Sequence, residues 1–276
     1  MKNSFLSCLL LKRNMSLPVL LCLNLAILCS GCGAETYEQR LAETEQYFSY
    51  LHERNQALAG TWSAPPIHFR PPLDFQEISA AAPAAVPAGE NGEAEPAEPT
   101  QTIDPRQPDF ADLKLPGLEG AWRTEVPVDL ENETVDRPAY LYVLCNYSLL
   151  QNEEQEAAAN FLNEVNNQLS TTFNKYLNTE DFVTERFPRK RGYTNPKEFT
   201  FNSFTPEMPI DGAPYEIQIY LTESGEYQAA ILAFIPENMV RKSKLQEQID
   251  FSLETFDLQP PQRGNGGGES RPSTQF

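Results

Sequence analysis

Histidine is almost missing from this chain. The two present, His52 and His68, both precede an Ala/Pro/Glu-rich stretch and lie outside the segment able to bury a large core. A Ser-His-Asp or Cys-His nucleophile inside that segment is therefore excluded unless the N-terminal part docks into it. Basic residues are also scarce, 21 Lys and Arg against 39 Asp and Glu, for a net charge of −18. Such a chain repels phosphate backbones and anionic lipid surfaces, which argues against nucleic acid as a partner. No Cys/His spacing suits zinc, no glycine-rich loop after a strand could cradle phosphate, and no acidic loop has the ligand order of an EF-hand. No cofactor and no metal are expected, and the chain is not expected to be an enzyme.

One apolar run stands near the start of the chain, Leu17 to Leu28, preceded by Lys12-Arg13. It is too short to cross a membrane, which takes about 20 residues. A basic start, an apolar run and then small residues is the build of an export signal. Leu28-Cys29-Ser30-Gly31-Cys32 follows, and here the chain resembles a bacterial lipoprotein precursor. Ser30 and Gly31 match that pattern, with Leu28 one residue farther from the Cys than usual. The resemblance concerns an address and not an activity. It implies that residues 1–31 form a signal peptide that is removed. Cys32 would then carry a diacylglyceryl group and further fatty acyl chains such as palmitate, anchoring the protein to a membrane. Each buried CH₂ adds about 0.8 kcal/mol to such an anchor. The protein would face the periplasm or cell exterior, and Gly33, not being Asp, permits outer-membrane sorting.

Removal of the signal also takes away Cys8, Cys22, Cys29 and three basic residues. Cys32 and Cys145 remain, so an internal disulfide is excluded and the core alone must hold the fold. The exported chain has 18 basic and 39 acidic residues, a net charge near −21.

Residues 32–78 read as a short helix followed by a docking segment. Over 35–59 the positions Tyr37, Leu41, Thr44, Phe48, Leu51, Asn55 and Leu58 recur at alternating spacings of four and three, a heptad rhythm. Asn55 falls on an a position, and Arg40 on g would pair with Glu45 on e of a parallel partner. Weak self-association through a coiled coil is one expectation; a helix laid on the protein's own domain is the other. Gly60 suits a C-cap. Trp62, Phe69 and Phe75, among the pairs Pro65-Pro66 and Pro71-Pro72, are too apolar for an idle linker and are expected to dock on the main domain or on a partner.

Residues 79–106, with eight Ala, five Pro and four Glu, cannot offset the entropy cost of ordering and are expected to be a disordered linker. The tail 259–276, with Gly264, Gly266, Gly267 and Gly268, reads likewise. Between them, 107–258 is long enough for one globular domain. Ala139 to Leu149, apolar on both faces, predicts a central strand. Asn152 as N-cap and the stripe Ala158, Phe161, Leu162, Val165, Leu169, Phe173 and Tyr176/Leu177 predict one long helix. Shorter strands are expected at 182–187 and 198–204. Tyr215–Thr222 and Tyr227–Ile235 predict a hairpin turning at Glu223-Ser224-Gly225-Glu226, with Ile217, Ile219 and Leu221 facing inward. A second long helix is expected from Asn238 to Phe256. The predicted class is α+β, a mainly antiparallel sheet packed by two long helices, with room for one parallel crossover.

Cys145, mid-strand among apolar residues, reads as a small buried hydrophobe rather than a nucleophile. Glu153, Glu154 and Glu156 are explained by helix-end electrostatics, and Glu180-Asp181 by a loop. The one local anomaly is Arg186, Arg189, Lys190 and Arg191 within an acidic chain. It could hold a phosphate, a carboxylate ligand or an acidic partner, or it could simply offset the protein's own acidic residues. Asn132 and Asn146 match the glycan acceptor pattern, which carries no information in a bacterial lipoprotein. The layout as a whole resembles lipoproteins of planctomycete-type bacteria on Cys32, Tyr37-Glu38-Gln39-Arg40-Leu41, Trp62 and Leu115-Pro116-Gly117-Leu118, a resemblance that implies no reaction. The expected function is a membrane-tethered accessory protein that binds an envelope protein. The alternatives are an anionic-ligand domain using residues 186–191 and a carboxylate-based hydrolase.

Overall fold

The computed structural model of the chain describes residues 34–80, 104–130, 133–189 and 195–259. The expected signal peptide, Cys32, most of the expected linker, the tail beyond Gln259, Lys190 and Arg191 lie outside the described residues. The chain divides into two units, residues 1–53 and 54–276.

The first unit contributes most of helix α1 (Ala34–Ala57). Pairs four residues apart support it: Gln39 Nε2 donates to Glu43 at 3.0 Å, and Thr44 Oγ1 donates to the Arg40 carbonyl at 2.7 Å. Every side chain from Glu35 to Gln46 is exposed. Apolar Tyr37, Leu41 and Phe48 are 64, 51 and 63 % exposed.

The second unit is built on two sheets. A small one places β2 (Ile67–Phe69) between β1 (Trp62–Ala64) and β10 (Asp257–Leu258). The large one has seven strands in the order β3 (Gln76–Glu77), β4 (Leu118–Leu130), β5 (Glu133–Cys145), β9 (Tyr227–Pro236), β8 (Tyr215–Ser224), β7 (Lys197–Phe204) and β6 (Val183–Phe187). Every neighbouring pair is antiparallel, so the parallel crossover the sequence allowed is not used. The class is α+β.

Alternation along the central strands feeds two cores. Leu141, Val143 and Cys145 of β5 and Ile231, Ala233 and Ile235 of β9 face helix α5 (Lys242–Thr255) and the small sheet. Tyr140, Tyr142 and Leu144, with Leu232 and Phe234, face the other way. There they meet α4 (Phe161–Thr172) through Phe161, Val165 and Leu169. Burial on both faces is why these two strands read as near-continuous apolar runs.

Four expectations need correcting. The strand expected to reach Leu149 ends at Cys145, and the single long helix is three pieces: α2 (Tyr147–Gln151), α3 (Gln155–Ala159) and α4. The cause is Asn146, which is fully buried. Its Nδ2 donates to the carbonyls of Ala158 and Glu226, and its Oδ1 accepts from the Gln228 amide at 3.0 Å. Holding Ala158 against the end of β5 requires the chain to double back, and Glu153 takes a left-handed conformation (φ 64) to do so. Asn152 accordingly closes α2 as its C-cap and does not open a helix. The last helix begins at Lys242, since Met239 bridges to Val128 at the end of β4.

The Trp/Pro segment docks on the domain itself. Trp62, Phe69 and Trp122 meet edge to face, with centroids 5.0 to 5.5 Å apart. Such pairs add about 0.5–1.5 kcal/mol each beyond area burial. Trp62 Nε1 donates to Glu77 at 3.1 Å. Asp104 and Arg106, which composition places in the linker, are also held: Arg106 donates to Asp104 and to the Glu119 carbonyl.

Candidate functional site

Strand β8 alternates as expected, with Ile217, Ile219 and Leu221 turned to one core. Its polar side is not left to solvent. Gln218 is 4 % exposed and Tyr220 is fully buried beneath α5. A buried polar row must be hydrogen-bonded throughout, and this one is. Lys242 Nζ donates to Glu216 Oε2 at 2.7 Å, and Gln218 Nε2 donates to Glu216 Oε1 and to Gln246 Oε1. Tyr220 donates to Gln218 Oε1 at 2.7 Å, and Gln246 Nε2 donates to Asp250 Oδ1 at 2.9 Å.

The row ends at the sequence-predicted basic cluster. Arg189 Nε lies 3.2 Å from Asp250 Oδ2, its Nη1 lies 3.3 Å from Glu185, and its guanidinium sits 5.0 Å over the Phe187 ring. Arg186 pairs with Glu198 at 2.6 Å. Both arginines thus face carboxylates of their own chain, one of them on α5, while Lys190 and Arg191 of the same cluster lie outside the described residues. Burial pushes the Asp250 carboxyl above its usual range. Burial also raises Glu216, but the hydrogen bonds from Lys242 and Gln218 outweigh it and hold this carboxyl below its usual range.

Docking of the Trp/Pro segment meets the condition on which a Ser-His-Asp arrangement depended. Ser63 and His68 face each other across β1 and β2 and are hydrogen-bonded through Oγ and Nδ1, and Asp257 is the register partner of His68 on β10. The three do not form a relay. Ser63 meets the ring nitrogen that a relay turns toward its carboxylate. The Asp257 carboxylate instead takes Lys197 at 3.2 Å and Gln259. His52 lies on α1. Cys145 is fully buried, and burial pushes its thiol up to about 12, which disfavours the thiolate that a nucleophile needs. Among the described residues no group of three or more His, Cys, Asp or Glu could hold a metal ion.

The heptad row of α1 is divided. Tyr37, Leu41, Thr44 and Phe48 are exposed, whereas Leu58 is buried in the domain core and Asn55 accepts from Arg70 at 2.7 Å. The part of the row left for the expected seam thus runs from Tyr37 to Leu51, the last of these half-buried. Among the described residues no helix is long and apolar enough to cross a membrane.

No family model and no curated protein matches the chain. A solved structure from Bacteroides thetaiotaomicron VPI-5482 is similar at 6 % identity over 72 % of this chain, with a TM-score of 0.32. This chain spans about half of that protein's length, 48 %. A likeness at that score carries no argument about fold or function.

Proposed function

We propose that this chain is a non-enzymatic, lipid-anchored interaction protein of the bacterial cell envelope, tethered through Cys32 and exposed on the periplasmic or outer side. The observation that carries the reading is the exposed row Tyr37, Leu41 and Phe48 on the helix that begins two residues after Cys32. Large apolar side chains repeated on one face of an exposed helix favour contact with another helix over contact with water. A residue next to a lipid anchor is also held at high local concentration relative to other envelope proteins. The expected coiled coil, shortened to the Tyr37–Leu51 seam, is one form such contact takes.

The test is a cross-linking pull-down of the tagged, membrane-extracted protein alongside Cys32→Ala, with palmitate labelling of both. The expected result is label on the wild type alone and a cross-linked envelope protein that is lost with the tether. An unlabelled wild type removes the anchor, and an absence of cross-linked protein in both forms removes the interaction role.

A further inference from the structure

Three segments leave a groove of about 690 Å³ on the α4 side of the sheet: the loop before β4, the C-terminal end of α4, and the loop between β7 and β8. Its volume lies within the range of about 300–1,000 Å³ typical of small-molecule sites. Phe110 and Phe173 line it and rest on Phe234, with centroids 5.4 and 6.1 Å from that ring. Met208 completes the apolar wall and is 78 % exposed. Thr172 Oγ1 donates to the Asp112 carbonyl at 3.2 Å, which ties the first loop to α4.

The charge around this apolar wall is unbalanced. Asp112 and Glu207 line the groove against a single cation, Lys114, and among the described residues none of the three is ion-paired. The last turn of α4 lines it too, and a helix C-terminus carries about half a negative charge. Asn174, just past that end, is left-handed (φ 49). Apolar surface with a net negative rim complements one kind of molecule.

From this we infer that the groove binds a small cationic amphiphile, an aromatic or apolar body carrying one ammonium group. The body rests on Phe110, Phe173 and Met208, and the ammonium is held between Asp112 and Glu207. The inference stands apart from the proposed anchor and interaction role, because neither Cys32 nor α1 takes part.

Methionine methyls report the site directly. The full chain, labelled with ¹³C at its methionine methyls, is titrated with phenethylamine and separately with phenylacetate, which present similar bodies with opposite charge. Met208 reports the groove, and Met239, which lines a different concavity beside Asp74 and Glu125, controls for general attraction to an acidic protein. The expected result is a saturable Met208 shift with a midpoint about tenfold lower for the amine. Asp112→Asn/Glu207→Gln should remove that preference with unchanged circular dichroism. Lys114→Glu should sharpen it, and serves alone if the double variant does not fold. Equal midpoints, tighter phenylacetate, a Met239 shift as large as that of Met208, a preference that survives the double variant, or no Met208 shift with either probe would each overturn the inference.

Discussion

Arg70 Nη1 donates to Asn55 Oδ1 at 2.7 Å, while Nε and Nη2 of the same guanidinium donate to the carbonyls of Ala59 and Leu58. These groups lie at and just beyond the end of α1, where no helical N–H can reach the last carbonyls. One side chain from the strand segment thus closes the helix terminus. Burial lowers the Arg70 pKa, with Arg54 adding to the effect, so the arginine is held at some cost for this geometry. Arg70→Ala should destabilise the domain by about 2–3 kcal/mol in urea unfolding. Arg70→Lys should recover little, since an ammonium lacks the planar fork. A fully stable Arg70→Ala would mean the cap is unimportant.

Self-association should follow the shortened seam. Sedimentation of a chain lacking residues 1–32 should reveal weak, concentration-dependent association that Leu41→Asp/Phe48→Asp abolishes. Because both side chains are exposed, that variant should melt at an unchanged temperature. A wild type that stays monomeric at high concentration would restrict any helix contact to other proteins.

Two of the glycines with positive φ, Gly117 and Gly225, should respond differently to alanine. At Gly117 (φ 58) a Cβ would lie 2.1 Å from the Cys145 carbonyl oxygen, a backbone atom that cannot move aside. The Cys145 amide also donates to the Gly117 carbonyl at 2.8 Å. Gly117→Ala should cost about 3–4 kcal/mol, or prevent folding. Gly225 (φ 65), in the β8–β9 turn, has open space around it, and alanine there should cost only about 1 kcal/mol. Similar losses at both sites would contradict this.

Glu216 gives the domain a dependence on acid. Its proton is bound less tightly in the folded chain than in the unfolded one, so its ionised form favours folding. That contribution is present above the ordinary glutamate range and is lost as pH falls through the lower folded value. Wild type should therefore exceed Glu216→Gln in stability at pH 7, and the gap should close toward pH 3. A gap that widens in acid would reverse the assignment.

Cys145 should resist alkylation at pH 8 in the native protein and react once urea unfolds it, as read by mass spectrometry of its peptide. Rapid labelling of the folded chain would show that the end of β5 opens.

What could be read from the sequence was local. The β8–β9 hairpin, the inward set Ile217, Ile219 and Leu221, and the stripe Phe161, Val165 and Leu169 follow from periodicity within a few residues, and the folded chain uses each as its period dictates. Strand β4 is harder to read: Val126, Val128 and Leu130 do alternate with Glu125, Pro127 and Asp129, but Pro127 inside the run and Gly120 near its start argue locally against a strand. The breaks between α2, α3 and α4 depend on Asn146 reaching Ala158 and Glu226, a matter of tertiary position. Sequence left Gln218 free to be either solvated or buried, because only the placement of α5 decides it. The basic cluster stood out as an anomaly, but the carboxylates facing it, Asp250 and Glu198, come from other parts of the chain.

The placement of β2 between β1 and β10 bears on how the protein comes into being. Ile67 and His68 pair with Leu258 and Asp257, and the Gln259 amide donates to the Pro66 carbonyl, so nearly two hundred residues must appear before the small sheet can close. Contacts so distant along the chain form late and slowly. A polypeptide emerging N-terminus first would leave Ile67 without Leu258 and Phe69 without Phe256 until its final strand arrived. Assembly of this domain is thus a test of completeness: a chain that stops short of Asp257 stays open at that seam and is an easy substrate for proteases.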